Sequence, residues 1–213
     1  MKNKNLNLKI AIMACFMALI AIFTFVPYVG FIPLGFISVT IIHVVVIIGT
    51  MLLNKNYGAL LGLFMGISSM IKSMTTGTMG DQPFIMPWVS VLPRVLFGYL
   101  AGLIYEKMHF KSNYLNAFLC AMFSTIIHTL LVFIVYLPTF VFMYGDGNFF
   151  KDFSGSIGGI NTTLPLTIYW FVTFMFSCLF ETLLSVIVIP PVILALKRNS
   201  MINKITNNVK EKE

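Results

Sequence analysis

The sequence predicts an all-α integral membrane protein, a bundle of six transmembrane helices in which residues 1–213 form a single domain. Three observations lead to this fold class. Of the 213 residues, 58% are hydrophobic and only 10% are charged, whereas about a quarter of the residues in a soluble domain are charged. Apolar runs of about 20 residues, the length that spans a bilayer, recur along the chain. Lysine and arginine cluster in alternate connecting segments, as in multi-pass proteins.

Clusters of turn residues separate the six predicted helices. The first apolar run, Ile10 to Val26, follows three lysines and could be a secretory signal. It is long for a signal and lacks an Ala-x-Ala-like cleavage site, so a first membrane helix is favoured. The last two helices are longer than a bilayer requires and should tilt or protrude. The predicted helices cover residues 8–26, 37–53, 57–72, 87–106, 113–143 and 164–196.

The positive charges predict how the helices are oriented. With the N terminus inside, only Lys72 and Lys151 fall in outer segments. Both termini are therefore predicted to be cytoplasmic. The net charge of +7 is then a topology signal and a contact for lipid headgroups, without any nucleic acid. Eleven basic residues fall in inner segments: Lys2, Lys4, Lys9, Lys55, Lys107, Lys111, Lys197, Arg198, Lys204, Lys210 and Lys212.

Small residues repeat at helical spacing on three of the predicted helices. Glycines share one face of the third helix and one face of the fourth, which lets helix backbones approach closely. Alanines line one face of the first helix, where packing within the chain and contact with a separate membrane subunit both stay open. The residues are Gly58, Gly62 and Gly66; Gly98 and Gly102; and Ala11, Ala14, Ala18 and Ala21.

Four ionisable side chains lie inside predicted helices, where such groups are costly and usually functional. At 1.5 Å per residue, Arg94 lies ~18 Å and His43 ~15 Å from the inner ends of their helices. His128 and Glu181 each lie ~22 Å from theirs. All four fall near the middle or outer half of a ~30 Å hydrocarbon core. Arg94, His128 and Glu181 can therefore converge if their helices are neighbours.

Two interpretations of Arg94 stay open. It could pair with Glu181 or bond to backbone carbonyls, one of which Pro93 frees one turn back. The favoured interpretation is an anchor for an anionic ligand, because a planar guanidinium binds a carboxylate bidentately. His128 and Glu181 could also satisfy each other as a structural pair. His43 is interpreted as a packed, hydrogen-bonded histidine.

No metal or cofactor is predicted. The two histidines and the glutamate lack the sequence spacing of metal ligands. Cys15, Cys120 and Cys178 lie inside apolar runs and are interpreted as small core hydrophobes. The sequence has no P-loop, His-Glu-x-x-His or Gly-x-Ser-x-Gly motif, so it holds no ATPase of its own. The polar residues therefore favour binding over catalysis.

The outer segments supply the remaining candidate ligand contacts. Residues 144–161 form a long glycine-bearing loop, which is either a lid or a flexible connector. Trp170 lies about two turns beyond Asn161 and Thr162, so all three can face one outward cavity. The alternative for this tryptophan is an interfacial belt. Lys72, at the outer end of the third helix, can attract an anion.

Three segments carry a resemblance to a known family. They are residues 25–53, residues 57–73 ("YGALLGLFMGISSMIKS") and residues 87–105 ("PWVSVLPRVLFGYLAGLIY"). Together with Glu181 and the following Val-Ile-Val-Ile-Pro190, they resemble the substrate-binding S component of energy-coupling factor vitamin importers, most closely the pantothenate-type members. Ser177 stands where relatives often have asparagine.

The resemblance implies six helices with both termini inside and an outward-facing cavity for a vitamin. Loops around 27–36, 73–86 and 144–163 would close over this cavity. It also implies docking onto one transmembrane coupling subunit and two ATPase subunits, and toppling in the membrane to deliver the ligand. The family's Ala-x-x-x-Ala motif, which meets the coupling subunit, is matched by Ala14 and Ala18 next to Ala11.

The predicted function is that of an S component in a bacterial cell membrane. It would bind a small vitamin, with pantothenate favoured, for ATP-driven uptake through partner subunits. Arg94 would hold the carboxylate. Alternatives are another vitamin such as riboflavin or a thiamine precursor, a membrane enzyme with Glu181 and His128 as acid and base, or a stand-alone channel or carrier. The predicted site residues are Lys72, Arg94, His128, Asn161, Thr162, Trp170 and Glu181.

Overall fold

The computed structural model is dominated by helices, with two short strand pairs. It describes residues 2–33, 38–76, 80–108, 110–144, 154–157, 160–163 and 166–199, and side chains in these ranges except at 2–5, 33, 38, 154–157, 160–163 and 166–170. The helices are α1 (Lys2–Phe25), α2 (Ile42–Leu53), α3 (Lys55–Thr76), α4 (Pro87–Ser90), α5 (Leu92–Lys107), α6 (Asn113–Tyr144) and α7 (Leu166–Lys197), and a 3₁₀ turn covers Gln82–Ile85. The strands are β1 (Phe31–Pro33), β2 (Ser38–Thr40), β3 (Ser154–Ile157) and β4 (Ile160–Thr163).

Within the described residues, five helical segments are long and apolar enough to cross a membrane. They include α1, α3, α6, α7 and the combined span Pro87–Lys107. The helices predicted for these regions are therefore confirmed, with boundaries that differ by up to six residues, at the start of α1. Helices α6 and α7 have 32 residues each, longer than a bilayer requires, as predicted.

The second predicted helix, 37–53, begins later than expected. Helix α2 has only 12 residues and starts at Ile42. Residues 38–40 instead form β2, which pairs antiparallel with β1. Two of these three residues, Val39 and Thr40, are β-branched and favour extended backbone. The described residues are mostly helical, as an all-α fold predicts, but they also include two short antiparallel strand pairs, β1–β2 and β3–β4, that were not predicted.

The fourth predicted helix, 87–106, is interrupted at Val91, which separates α4 from α5. Pro93 is the second residue of α5. Its ring cannot donate a backbone hydrogen bond and crowds the carbonyl one turn back, which is why the helix restarts here. The break leaves backbone carbonyls available in the middle of the bundle.

Helix α2 lies at the centre of the bundle. All of its residues are buried, and it packs against α1, α3, α5, α6 and α7. A helix that is apolar all round can only be stable when other elements surround it. The large apolar side chains of α2 form the main hydrophobic core with residues of these neighbours.

Helices α3 and α5 contact each other directly through their backbones, as the glycine faces predict. A Cβ on Gly62 would lie 2.1 Å from the carbonyl oxygen of Arg94. Likewise, a Cβ on Gly58 would lie 2.4 Å from the carbonyl oxygen of Gly98. Only glycine permits this distance, so the glycine face of α3 fixes the position of the first turns of α5.

The two ends of the bundle differ in composition. At one end, Lys55 forms a 2.7 Å ion pair with Glu106, and Lys197 donates to the Tyr105 hydroxyl. We call this the basic end. The opposite end, which holds β1, β2 and residues 80–86, we call the hairpin end.

Helix α1 presents its alanines away from the rest of the chain. Ala11, Ala14 and Ala18 are exposed, whereas the opposite side of the helix, including Ile20, packs into the core. The same exposure contradicts the prediction for Cys15, which is exposed and not a core residue, while Cys120 is buried as predicted. The alanine face is therefore available to another membrane component.

Gly62→Val should destabilise the protein by about 1–3 kcal/mol, because the added methyls collide with the backbone of α5. The measurement is the thermal midpoint of the purified protein in detergent. Leu63→Val, which changes the adjacent exposed residue, is the control and should leave the midpoint almost unchanged. Equal midpoints for the two variants would contradict the close helix contact.

Candidate ligand-binding site

A single cavity in the hairpin half of the bundle collects most of the predicted site residues. It contains about 830 Å³ of empty space, counted out to its open mouth. Residues from α3, α5, α6, α7 and both strands of the first pair line it. Its polar lining residues include Thr40, Ser69, Lys72, Asp81, Arg94, His128, Thr129, Ser177 and Glu181. The predicted convergence of Arg94, His128 and Glu181 is thus confirmed.

Arg94 is held by the break between α4 and α5. The residue is only 2% exposed. Its Nη1 group donates to the carbonyl oxygens of Ser90, at 2.7 Å, and Val89, at 3.4 Å. These carbonyls lie four and five residues back, at the break between α4 and α5, where Pro93 has no N–H to bond the carbonyl of Val89. The guanidinium carbon also lies 5.1 Å from the ring centroid of Phe84.

One edge of the guanidinium has no acceptor in the part of the chain that the structure describes. Both of its hydrogen bonds leave from Nη1, and Nε is buried without a partner. The Nε and Nη2 groups together form the side-on edge that binds a carboxylate bidentately. Of the interpretations of Arg94, bonding to backbone carbonyls is therefore confirmed, and it leaves this edge available.

Glu181 is bound by other groups than those predicted. Its Oε1 accepts from the backbone N–H and the hydroxyl of Thr40, at 2.8 and 3.1 Å. Its Oε2 accepts from the Thr129 hydroxyl at 2.9 Å. Among the described residues it forms no hydrogen bond with His128, so that predicted pair is wrong, and it forms no ion pair with Arg94, so that alternative for Arg94 is wrong as well. The carboxylate instead ties α7 to β2 and α6.

The two histidines stack beside the cavity. Their ring centroids are 5.2 Å apart and nearly parallel. His43 is fully buried, with Nε2 2.8 Å from Ser185 Oγ, which confirms a packed, hydrogen-bonded histidine. His128 also contacts the ring of Phe97 at 4.7 Å. The His128 ring therefore packs between the rings of His43 on α2 and Phe97 on α5.

The fold brings together three potential metal ligands that the sequence keeps far apart. One ligand atom from each of His43, His128 and Glu181 lies within 4.8 Å of the others. Both Glu181 oxygens already accept hydrogen bonds, and the guanidinium of Arg94 lines the same cavity. Ligands at 2.0–2.2 Å from zinc would have to move closer together, and the nearby positive charge opposes a dication. Hydrogen bonding to a ligand fits this arrangement better.

Lys72 and Asp81 lie in the cavity wall near its hairpin end. The Lys72 ammonium lies 3.2 Å from the ring centroid of Phe31. Phe84, from the 3₁₀ turn, also lines the cavity. Parts of two predicted lid segments, around 27–36 and 73–86, therefore border the cavity.

Three predicted site residues cannot be located in the cavity. Asn161 and Thr162 lie in β4, paired with Ser156 and Gly155, and Trp170 lies near the start of α7. Their side chains, and residues 145–153 of the predicted lid, lie outside the described part of the chain.

Sequence reasoning did not assign several polar residues of the cavity as site residues, among them two threonines and two serines. Thr40 and Thr129 bind Glu181, and Ser69 and Ser177 line the wall. Helical spacing could have indicated the two serines, because residues three and four apart share a face. Ser69 precedes Lys72 by three residues, and Ser177 precedes Glu181 by four.

A polar cavity at the middle of an apolar helix bundle defines a membrane protein that binds small molecules. The family model for the substrate-specific component of ECF transporters matches residues 8–193, so the chain belongs to this family. It is accordingly a multi-pass protein of the bacterial cell membrane.

The chain is similar in sequence to two proteins that are named as pantothenate transporters. The chain is 32% identical over 117 residues to "Pantothenate transporter PanT" of Leuconostoc mesenteroides, an alignment that covers 53% of this chain and 57% of that relative. It is 31% identical over 176 residues to "Pantothenic acid transporter PanT" of Lactococcus lactis, over 74% of this chain and 84% of that relative.

Thr129→Val should destabilise the protein by roughly 1.5–3 kcal/mol, because a buried carboxylate loses a donor. Thr139→Val is the control on the same helix, since the Thr139 hydroxyl donates only to the carbonyl of Val135 and such bonds contribute little. Thermal midpoints of both variants in detergent test this. Matching midpoints would mean that the contact with Glu181 contributes nothing.

Proposed function

We propose that this protein is the substrate-binding component of an energy-coupling factor importer and that it captures pantothenate or a similar small carboxylate vitamin. Capture takes place outside the cell, with the hairpin end outward and both termini cytoplasmic. The protein binds its ligand without changing it chemically. ATP is hydrolysed by two ATPase subunits that act through a transmembrane coupling subunit.

The side-on edge of Arg94 is the observation that carries this proposal. A buried guanidinium is expensive inside a membrane protein, and backbone carbonyls satisfy only its Nη1 group. A ligand carboxylate would complete its hydrogen bonds. Because Arg94 lines the cavity, a small anion fits here better than a neutral or cationic ligand.

The rest of the cavity supports a small, partly apolar ligand. Aromatic side chains of Phe31, Phe84, Phe133, Tyr136 and Phe174 line it. Such walls exclude water, while a few polar groups fix the orientation of the ligand. Asn161, Thr162 and Trp170 remain proposed contacts from the outer segments, as do the lids around 27–36, 73–86 and 144–163. Lys72 would attract the anion at the mouth.

The proposed orientation follows from charge. The basic end carries Lys9, Lys55 and Lys197, and basic residues favour the cytoplasmic side. The mouth of the cavity then faces outward.

The exposed alanines of α1 are the proposed contact with the coupling subunit. Ala11, Ala14 and Ala18 present a small-residue face to the membrane, and such faces allow close packing of another helix. The names of the two relatives favour pantothenate over riboflavin or a thiamine precursor. An enzyme that uses Glu181 and His128 as acid and base gains no support, because the two groups are not hydrogen-bonded to each other.

A vitamin panel tests the proposed substrate. Pantothenate should raise the thermal midpoint of the purified protein, since a ligand at a thousand times its Kd adds about 4 kcal/mol to stability. Riboflavin and thiamine at the same concentration should not. A shift with riboflavin and none with pantothenate would replace the proposed substrate.

Arg94→Ala should weaken pantothenate binding by about 2–4 kcal/mol, because a charge-assisted bidentate contact is lost. Isothermal titration calorimetry measures the effect. Arg198→Ala, at an exposed position of the basic end, is the control. The alcohol analogue of pantothenate, which lacks the carboxylate, should bind the wild type and Arg94→Ala about equally. Unchanged pantothenate affinity in Arg94→Ala would refute the anchor.

Ala14→Leu should leave pantothenate affinity intact and abolish uptake into vesicles that contain the coupling module and ATP, because the larger side chain blocks helix docking. Leu19→Phe also enlarges an exposed side chain of α1, but about 140° around the helix from Ala14, and should still transport. Loss of binding and uptake together in Ala14→Leu would instead indicate a packing role.

A further inference from the structure

Several hydroxyl groups in the described helices donate to the carbonyl four residues back. Ser69 and Ser177 differ. Among the described residues, neither hydroxyl has a hydrogen-bond partner, although the residues are only 2% and 5% exposed. Both line the cavity. The hydroxyls that make this bond are those of Thr24, Thr50, Ser73, Thr76, Thr129, Thr139 and Ser185.

His128 adds two more buried polar atoms that lack a hydrogen-bond partner, its ring nitrogens. Neither of its ring nitrogens has a hydrogen-bond partner in the described part of the chain, and the residue is only 3% exposed. Its ring is fixed by stacking on His43 and by contact with Phe97. The ring therefore cannot turn freely to find another partner.

The three residues come from three helices and border one space. Ser69 lies on α3, His128 on α6 and Ser177 on α7, and all line the cavity that also contains Arg94. Buried polar groups without partners are costly. Three of them on one cavity wall indicate that a ligand completes their hydrogen bonds.

We propose that Ser69, His128 and Ser177 form a subsite that recognises uncharged hydroxyl and amide groups of the ligand. This inference rests on the proposed function and extends it from the carboxylate to the rest of the molecule. A serine hydroxyl both donates and accepts, and a neutral imidazole has one donor and one acceptor. Alcohols and amides match these groups, whereas an apolar chain leaves them all unpaired.

Pantothenate carries groups of this class, two hydroxyls and one amide, at a distance from its carboxylate. Arg94 would then select the anion, and the subsite would select its hydroxylated part. The subsite thus separates a hydroxylated carboxylate from an aliphatic carboxylate of equal size. Arg94 alone cannot make this distinction, because both molecules present the same anion to it.

The test compares pantothenate with its analogues that lack one or both hydroxyls, by calorimetry on the full-length wild-type protein. Each lost hydroxyl that contacts the subsite should weaken binding roughly tenfold, the value of a typical neutral hydrogen bond. This comparison needs no variant, so it holds even where a substitution prevents folding.

Variants assign the contacts to residues. Ser69→Ala, Ser177→Ala and His128→Phe should each weaken pantothenate binding roughly tenfold and have a smaller effect on the analogue that already lacks the matching hydroxyl. Ser124→Ala is the control, because Ser124 is equally buried on α6 but does not line the cavity. Its affinities for pantothenate and the analogues should equal those of the wild type.

Four results would overturn the subsite. The deoxy analogues could bind wild type as tightly as pantothenate does, or the three variants could match Ser124→Ala. Elemental analysis could find stoichiometric zinc, nickel or cobalt that His128→Phe loses, which would make the histidine a metal ligand. A wild type that binds no pantothenate would refute pantothenate as the substrate and the subsite together, whereas the first three outcomes leave the carboxylate anchor intact.

Discussion

The fold depends on a central helix that is too short to cross the membrane. Helix α2 has 12 residues, or ~18 Å at 1.5 Å per residue, against a hydrocarbon core of ~30 Å. The backbone polar groups of the residues before Ile42 must therefore find hydrogen-bond partners outside the helix. Non-helical backbone at membrane depth is tolerated only where it is buried in protein or lines a cavity. Here β2 pairs with β1, and Glu181 accepts from the backbone N–H of Thr40. The polar cavity lies beyond the N-terminal end of α2, where Phe31 and Thr40 of the strand pair line it.

The glycine contact between α3 and α5 has a consequence for the site. Gly62 touches the backbone of Arg94, so the same contact that packs the two helices positions the guanidinium. The helix break at Val91 adds the acceptors, because the carbonyls of Val89 and Ser90 bind Nη1. The Arg94 side chain is thus oriented by the carbonyls of Val89 and Ser90, and its backbone is positioned by packing against Gly62. Neither contact requires a ligand.

Sequence reasoning succeeded where one segment decides its own structure. An apolar run of about 20 residues has one stable form in a bilayer, so the long helices were predictable, and with them the convergence of Arg94, His128 and Glu181 on one cavity. It failed where the partner is distant in sequence. Thr40 and Glu181 are 141 residues apart, so neither β2 nor the true partners of Glu181 could be predicted locally. Ser69 was missed because small hydroxyl residues on apolar helices are usually packing residues, and Ser177 was noted only as a departure from the asparagine of relatives.

Glu181 explains how the cavity can be stable and still receptive to an anion. Its charge offsets that of Arg94 across the same cavity, yet its oxygens are taken by Thr40 and Thr129. A direct ion pair would have used the side-on edge of Arg94 and closed the site. Because neutral donors hold the carboxylate instead, the buried charges balance at a distance while the guanidinium edge stays open. Arg94 and Glu181 together give the cavity little net charge. Selection of an anion then depends more on the hydrogen-bond donors of the Arg94 edge than on a net positive charge.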